Sequence, residues 1–140
     1  TEAHLLPGAL LRNTGLKFVC KPTHLCVEES ACQWLDLPAD TVVSIPVNHN
    51  EGNYTCDAET LQRLRDNGQV VLRYCEPDGS RAEGGSAPNG ALDDIAGICN
   101  ERGNVFGLMP HPERVVDPVT GGTDGQAFFT AIARRLAEVS

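Results

Sequence analysis

The chain has 140 residues, 41% of them apolar, and a formal net charge of -8. That length suits one domain, or part of one, with enough chain for a real core. The charge argues against nucleic acid or an anionic membrane as partner, no apolar run approaches spanning length, and no signal-peptide pattern opens the sequence.

Thr1 is not a start methionine, which fits processing or a start partway through a larger protein. Leu5-Leu6-Pro7-Gly8-Ala9-Leu10-Leu11 reads as a connector, because Pro-Gly marks a turn between two apolar pieces. Leu16 to Glu29 reads as a strand in which Pro22 implies a break or an edge. Ser30 to Asp40 is a loop around Trp34, a packing residue. Thr41 to Val47 is a second strand, rich in β-branched residues, and Asn48 to Tyr54 is a polar loop at its end.

Asp57 can cap the next helix, with Glu59 in its first turn, Leu61 and Leu64 on its apolar face, and Gly68 at its end. Gln69 to Cys75 is a third strand. Glu76 to Leu92 is a long surface connection, with Arg81 and Glu83 solvated. Ile95 to Cys99 is a fourth strand. Asn100 to Asn104 then forms a hairpin turn into a buried strand over Val105 to Met109, which pairs antiparallel with the fourth. The last helix spans about 124–138, with Thr123 or Asp124 as cap and Phe128, Ile132, Leu136 and Val139 as its apolar stripe. Arg134 and Arg135 lie near its C-terminal end, where positive charge suits the dipole.

The stretch that carries chemistry is Val105 to Arg114, which ends Met-Pro-His-Pro-Glu-Arg. Met109 and His111 both precede proline and are biased to extended conformations. Residues two apart in an extended chain share a face, so His111 and Glu113 project together from a strand end. An imidazole beside a carboxylate can relay a proton for a nucleophile. A plain surface loop and a metal site are the alternatives. The C-terminal end of an apolar strand, where open α/β sheets place their crevices, favours the relay. The prolines and the lack of a second histidine at helical spacing disfavour the metal.

The nucleophile is not evident. Gly97-Ile98-Cys99-Asn100-Glu101 imitates a strand-to-helix elbow, yet the bulky Glu101 stands where a small residue is needed and a turn into another strand follows. Cys99 therefore reads as a core thiol. The six cysteines are scattered with no Cys-x-x-Cys, which fits free, mostly buried thiols in a reducing, cytoplasmic compartment. The absence of Gly-x-Ser-x-Gly disfavours a serine hydrolase.

Several stretches in order carry a family resemblance. They are Leu5 to Leu10 with Arg12-Asn13, Ile45-Pro46-Val47 with His49 and Glu51-Gly52-Asn53-Tyr54, Pro88-Asn89-Gly90, Ile95 to Asn100, Gly107 to Arg114, and Gly122-Thr123-Asp124-Gly125. Across essentially all 140 residues the chain resembles the C-terminal part of the glutaminase subunit or domain of the phosphoribosylformylglycinamidine synthases. These are class I, triad-type glutamine amidotransferases of purine biosynthesis.

The resemblance implies an α/β fold: the second half of a flavodoxin-like open sheet with flanking helices. It makes residues 1–140 a partial amidotransferase domain without its N-terminal nucleophile segment, Thr1 falling about where the helix after the elbow should end. It implies a Cys-His-Glu triad of which His111 and Glu113 are members, the cysteine lying upstream. It places Asn48 and His49 on the substrate side, where the backbone of Asn48 to Glu51 would hold the glutamine α-carboxylate. Asn50 stands where glycine is expected.

The implied activity is hydrolysis of glutamine to glutamate and ammonia, for amidation of formylglycinamide ribonucleotide. No cofactor is implied for this chain; ATP and Mg belong to the partner synthetase module. The implied partners are glutamine, that synthetase and the remaining part of the glutaminase domain, and the chain alone is expected to be inactive. Another triad amidotransferase, serving a different synthetase, is the rival within the same chemistry. A non-catalytic half-domain that binds a synthetase or a complementary chain is the rival from another class.

Overall fold

The fold is described from a computed structural model, which covers residue 1 and residues 3–139. Its main sheet contains β2 (Val19–Val27), β3 (Val42–His49), β5 (Val70–Cys75), β6 (Ile95–Cys99) and β7 (Phe106–Leu108), in the order β3-β2-β5-β6-β7. A two-stranded ribbon joins β1 (Ala9–Leu11) to β4 (Asn53–Thr55). Helices α1 (Ala58–Asp66) and α2 (Gln126–Val139) complete the layers. The α/β class, a sheet with flanking helices, is as expected. Every pairing among the described strands is antiparallel.

The core follows from strand position. Every residue of β5 and β6, the interior strands after β2, is buried. Leu25, Ile45, Val47, Leu64, Val71, Leu72 and Tyr74 sit at its centre. The α1 boundaries are those read from local chemistry. Asp57 accepts from the Thr60 N–H at 2.7 Å, and Gly68 leaves the helix at φ +62°.

Pro22 neither breaks β2 nor confines it to an edge along its whole length. It faces Pro46 of β3, and β2 meets β5 only over His24 to Val27. Two prolines cannot exchange N–H···O bonds, so their pair occupies a non-hydrogen-bonded position whose carbonyls turn outward. The Pro46 carbonyl therefore faces out of the β3 edge, where it accepts the His111 N–H at 2.8 Å. Two residues earlier, the Met109 N–H still bonds to Ala96 of β6 at 3.0 Å. β3 and β7 are opposite ends of the strand order, so the sheet curls until its two edges meet at this bond.

Several expectations are corrected. The polar loop after β3 shrinks to residues 50–52, because Asn48 and His49 finish β3 while Asn53 and Tyr54 open β4. The stretch expected as a connector contains β1; strands of three residues carry too little alternation to be recognised. β7 is half-buried rather than buried, since it is an edge strand and lines an open apolar groove with Leu6, Tyr54 and Met109. Asp124 does not cap α2; its carboxylate accepts the outward-facing Ser44 N–H of β3 at 2.7 Å. Arg81 is not simply solvated; it pairs with Asp93 and Asp94 at 3.0 and 2.9 Å. Of the α2 stripe, Phe128 is buried while Leu136 is exposed, and the Val139 side chain lies outside the described residues.

Candidate active site

His111 and Glu113 come together as expected, with Nδ1 and Oε1 2.8 Å apart. The backbone route differs from an extended strand end. His111 is non-helical (φ -110°, ψ 83°), and Pro112 to Arg114 then form a single 3-10 turn. Proline presets φ for the first position of such a turn, so Pro112 starts it instead of prolonging the strand. The Val115 carbonyl, just past the turn, accepts the Gly125 N–H at 2.9 Å, and a Cβ at Gly125 would lie 1.9 Å from the Pro112 carbonyl oxygen. The glycine thus lets the start of α2 press against the back of the turn.

The dyad is open to solvent, with side-chain exposures of 32% for His111 and 56% for Glu113. Burial would raise the Glu113 carboxyl, but its own backbone N–H, the His111 imidazole and the Arg114 charge outweigh it and hold the carboxyl below the usual range. A carboxylate at Nδ1 selects the Nδ1–H tautomer and leaves Nε2 as the base. Among the described residues, Nε2 has no hydrogen-bond partner.

Asn48 and His49, on opposite faces of β3, have different roles. With the amide oriented so that its oxygen meets donors, Asn48 accepts from both terminal nitrogens of Arg114, at 2.6 and 2.7 Å. That brings Asn48 beside the dyad. His49 turns inward and is 8% exposed. Its Nδ1 lies 3.1 Å from Asn13 Oδ1, and the Asn89 Nδ2 lies 3.4 Å from its Nε2. Burial, then the nearby His111 charge, push its pKa down. A direct ligand contact by this ring is not what the geometry supports. The ring braces the turn at 50–52, where the N–H groups of Asn50 and Glu51 have no acceptor among the described residues.

Residues 3–126 match the CobB/CobQ-like glutamine amidotransferase domain. The chain belongs to that family. It is 49% identical to the phosphoribosylformylglycinamidine synthase subunit PurQ of Gloeobacter violaceus and 46% identical to that of Rhodopseudomonas palustris, each over 99% of this chain and 60% of the relative. The chain thus spans about 60% of the length of the curated relatives it matches. It also superposes on a chain of the PurLQS structure from Thermotoga maritima with a TM-score of 0.77 and 39% identity, over 96% of this chain and 56% of that one.

Within this amidotransferase domain Cys99 is a poor nucleophile. It is fully buried in β6, its thiol is pushed up to about 11 chiefly by burial, and a turn follows it rather than a helix. All six cysteines are free; Cys75 and Cys99 are buried, Cys26, Cys32 and Cys56 half-buried, and Cys20 exposed. Among the described residues no group of three His, Cys, Asp or Glu side chains is placed to hold a metal, and no helix is long and apolar enough to cross a membrane. Sequence reasoning missed Arg114 as the partner of Asn48, and it assigned no role to Asn13 or Asn89. Their place in the ordered motifs was the only signal.

Proposed function

We propose that this chain is part of the glutaminase component of a phosphoribosylformylglycinamidine synthase. It would hydrolyse glutamine and supply ammonia for ATP-dependent amidation of formylglycinamide ribonucleotide. The observation that carries the reading is the His111–Glu113 pair at 2.8 Å, which leaves Nε2 unpartnered among the described residues, with Asn48 held to the adjacent Arg114. Relatives named for that enzyme support it.

In this reading a cysteine from outside these 140 residues completes the triad. His111 Nε2 takes the thiol proton as sulfur attacks the glutamine amide carbon. Glu113 holds the tautomer and stabilises the imidazolium. The C–N bond breaks as the imidazolium protonates the leaving nitrogen, and ammonia departs from a glutamyl thioester. Water then attacks the thioester with His111 again as base, releasing glutamate and restoring the thiol. The N–H groups of Asn50 and Glu51 are donors suited to the substrate α-carboxylate. Ammonia passes to a synthetase that binds ATP and Mg. The free thiols fit a cytoplasmic setting.

The test compares His111→Ala with the unsubstituted complete enzyme, supplied with glutamine or with ammonia. Glutamine-dependent synthesis should fall by roughly a thousandfold or more while ammonia-dependent synthesis persists. Indifference to the substitution would remove the triad. The 140-residue chain alone should not turn over glutamine; measurable hydrolysis would overturn the reading of Cys99.

A further inference from the structure

The turn at 50–52 is held by polar groups from three separate parts of the chain. Asn13 donates from Nδ2 to the His49 carbonyl at 2.9 Å, and its own N–H donates to the Asn50 carbonyl at 2.9 Å. Its Oδ1 accepts the Gly52 N–H at 3.1 Å. Asn89 donates from Nδ2 to the Gly52 carbonyl at 2.8 Å, with Tyr74 Oη 3.3 Å away. Both polar groups of Gly52 are therefore gripped, one by each asparagine. The His49 ring lies flat against the glycine, where a Cβ would come 2.2 Å from the ring's Cε1.

The segments that carry the two asparagines are tied to each other. The Thr14 N–H donates to the Asn89 carbonyl at 3.0 Å, and the Ala91 N–H donates to Asn89 Oδ1 at 3.1 Å. Each is 1% exposed and fully hydrogen-bonded. Buried amides are costly unless satisfied, and an apolar cluster would fill the same space without that requirement. What an apolar cluster cannot do is fix the direction of a peptide group. Here the fixed groups bound the turn whose middle N–H groups, those of Asn50 and Glu51, point to no partner among the described residues.

We propose that Asn13 and Asn89 are positioning residues, which act through Gly52 to aim the free N–H groups of Asn50 and Glu51 at the carboxylate of the substrate. Asn89 sits in the long connection between β5 and β6, so a segment remote in sequence sets the geometry of a binding turn. The inference rests on the glutaminase reading and names residues that reading does not use.

The experiment uses Asn89→Ala and the isosteric Asn89→Asp in the complete enzyme. The aspartate keeps an acceptor for the Ala91 N–H but cannot donate to the Gly52 carbonyl. Both should raise the KM for glutamine by roughly 10- to 100-fold, since misplacing a binding group by about 1 Å costs that much. Synthesis driven by ammonia should be unchanged. Amide hydrogen exchange over residues 50–53 should accelerate in both variants. A KM within twofold of the unsubstituted enzyme, in a folded variant, overturns the proposal. Failure of both variants to fold overturns it too, by assigning Asn89 to the core alone. If the unsubstituted enzyme shows no glutamine turnover, the functional reading fails instead, and the exchange rates still decide whether Asn89 holds the turn.

Discussion

Replacing Glu113 by glutamine keeps an acceptor for the His111 Nδ1–H and removes only the charge. At the observed 2.8 Å, an imidazolium and a carboxylate attract by about 1.5 kcal/mol at the dielectric of water and about 6 kcal/mol at an effective value of 20. Those limits correspond to roughly 10-fold and roughly 10⁴-fold in rate. The Glu113 side chain is 56% exposed, which places it toward the screened end. Glu113→Gln should therefore lower kcat for glutamine hydrolysis by roughly 10- to 100-fold, with little change in KM. The assay is glutamate release by the complete enzyme over a range of glutamine concentrations. A variant within twofold of the unsubstituted enzyme would show that the carboxylate does not stabilise the imidazolium. A loss beyond roughly 10⁴-fold would mean a dry site, contrary to the open dyad described above.

Two further substitutions probe the support of the site. Asp93 accepts from Arg65, Arg73 and Arg81, and their hydrogen bonds outweigh its burial to hold its carboxyl below the usual range. Arg73 keeps Glu28 at 3.3 Å, and Arg65 and Arg81 are half-exposed, so Asp93→Asn should cost about 2–3 kcal/mol at pH 7, less than removal of a fully isolated buried partner. A lowered carboxylate contributes stability above its unfolded pKa of about 4 and loses it as pH falls through the folded value, so the gap between variant and parent in urea melts should close below about pH 4. A gap under about 0.5 kcal/mol at pH 7 would refute this account. Gly125→Ala puts a Cβ 1.9 Å from the Pro112 carbonyl oxygen and should cost about 1–3 kcal/mol, while lowering glutaminase kcat by moving Glu113. Unchanged melting and kcat together would show that the turn does not depend on that close approach.

What could be read from the sequence was local. The α1 boundaries follow from Asp57 and Gly68, because capping is settled within one helical turn. β2, β3, β5 and β6 follow from runs of β-branched and apolar residues, and the β6–β7 hairpin from Asn100 to Asn104. The His111–Glu113 pair was legible from a two-residue spacing, although the turn at Pro112, rather than strand alternation, brings the two side chains together. The family followed from the order of several short motifs.

The tertiary structure decided where those pieces meet. Nothing in the periodicity of β3 says that Pro46 will turn its carbonyl toward His111; that depends on Pro22 lying opposite it and on the curl that joins the two sheet edges. His49 and Asn48 look alike in sequence as polar residues at a strand end, yet the pleat sends one into the core and the other to Arg114. Asn13, Gly52 and Asn89 are far apart along the chain and carry no periodic signal, so only the fold shows that the two asparagines grip the one glycine from either side. Propensity and spacing act over a few residues, whereas the hydrogen bonds that aim this site close loops of tens of residues.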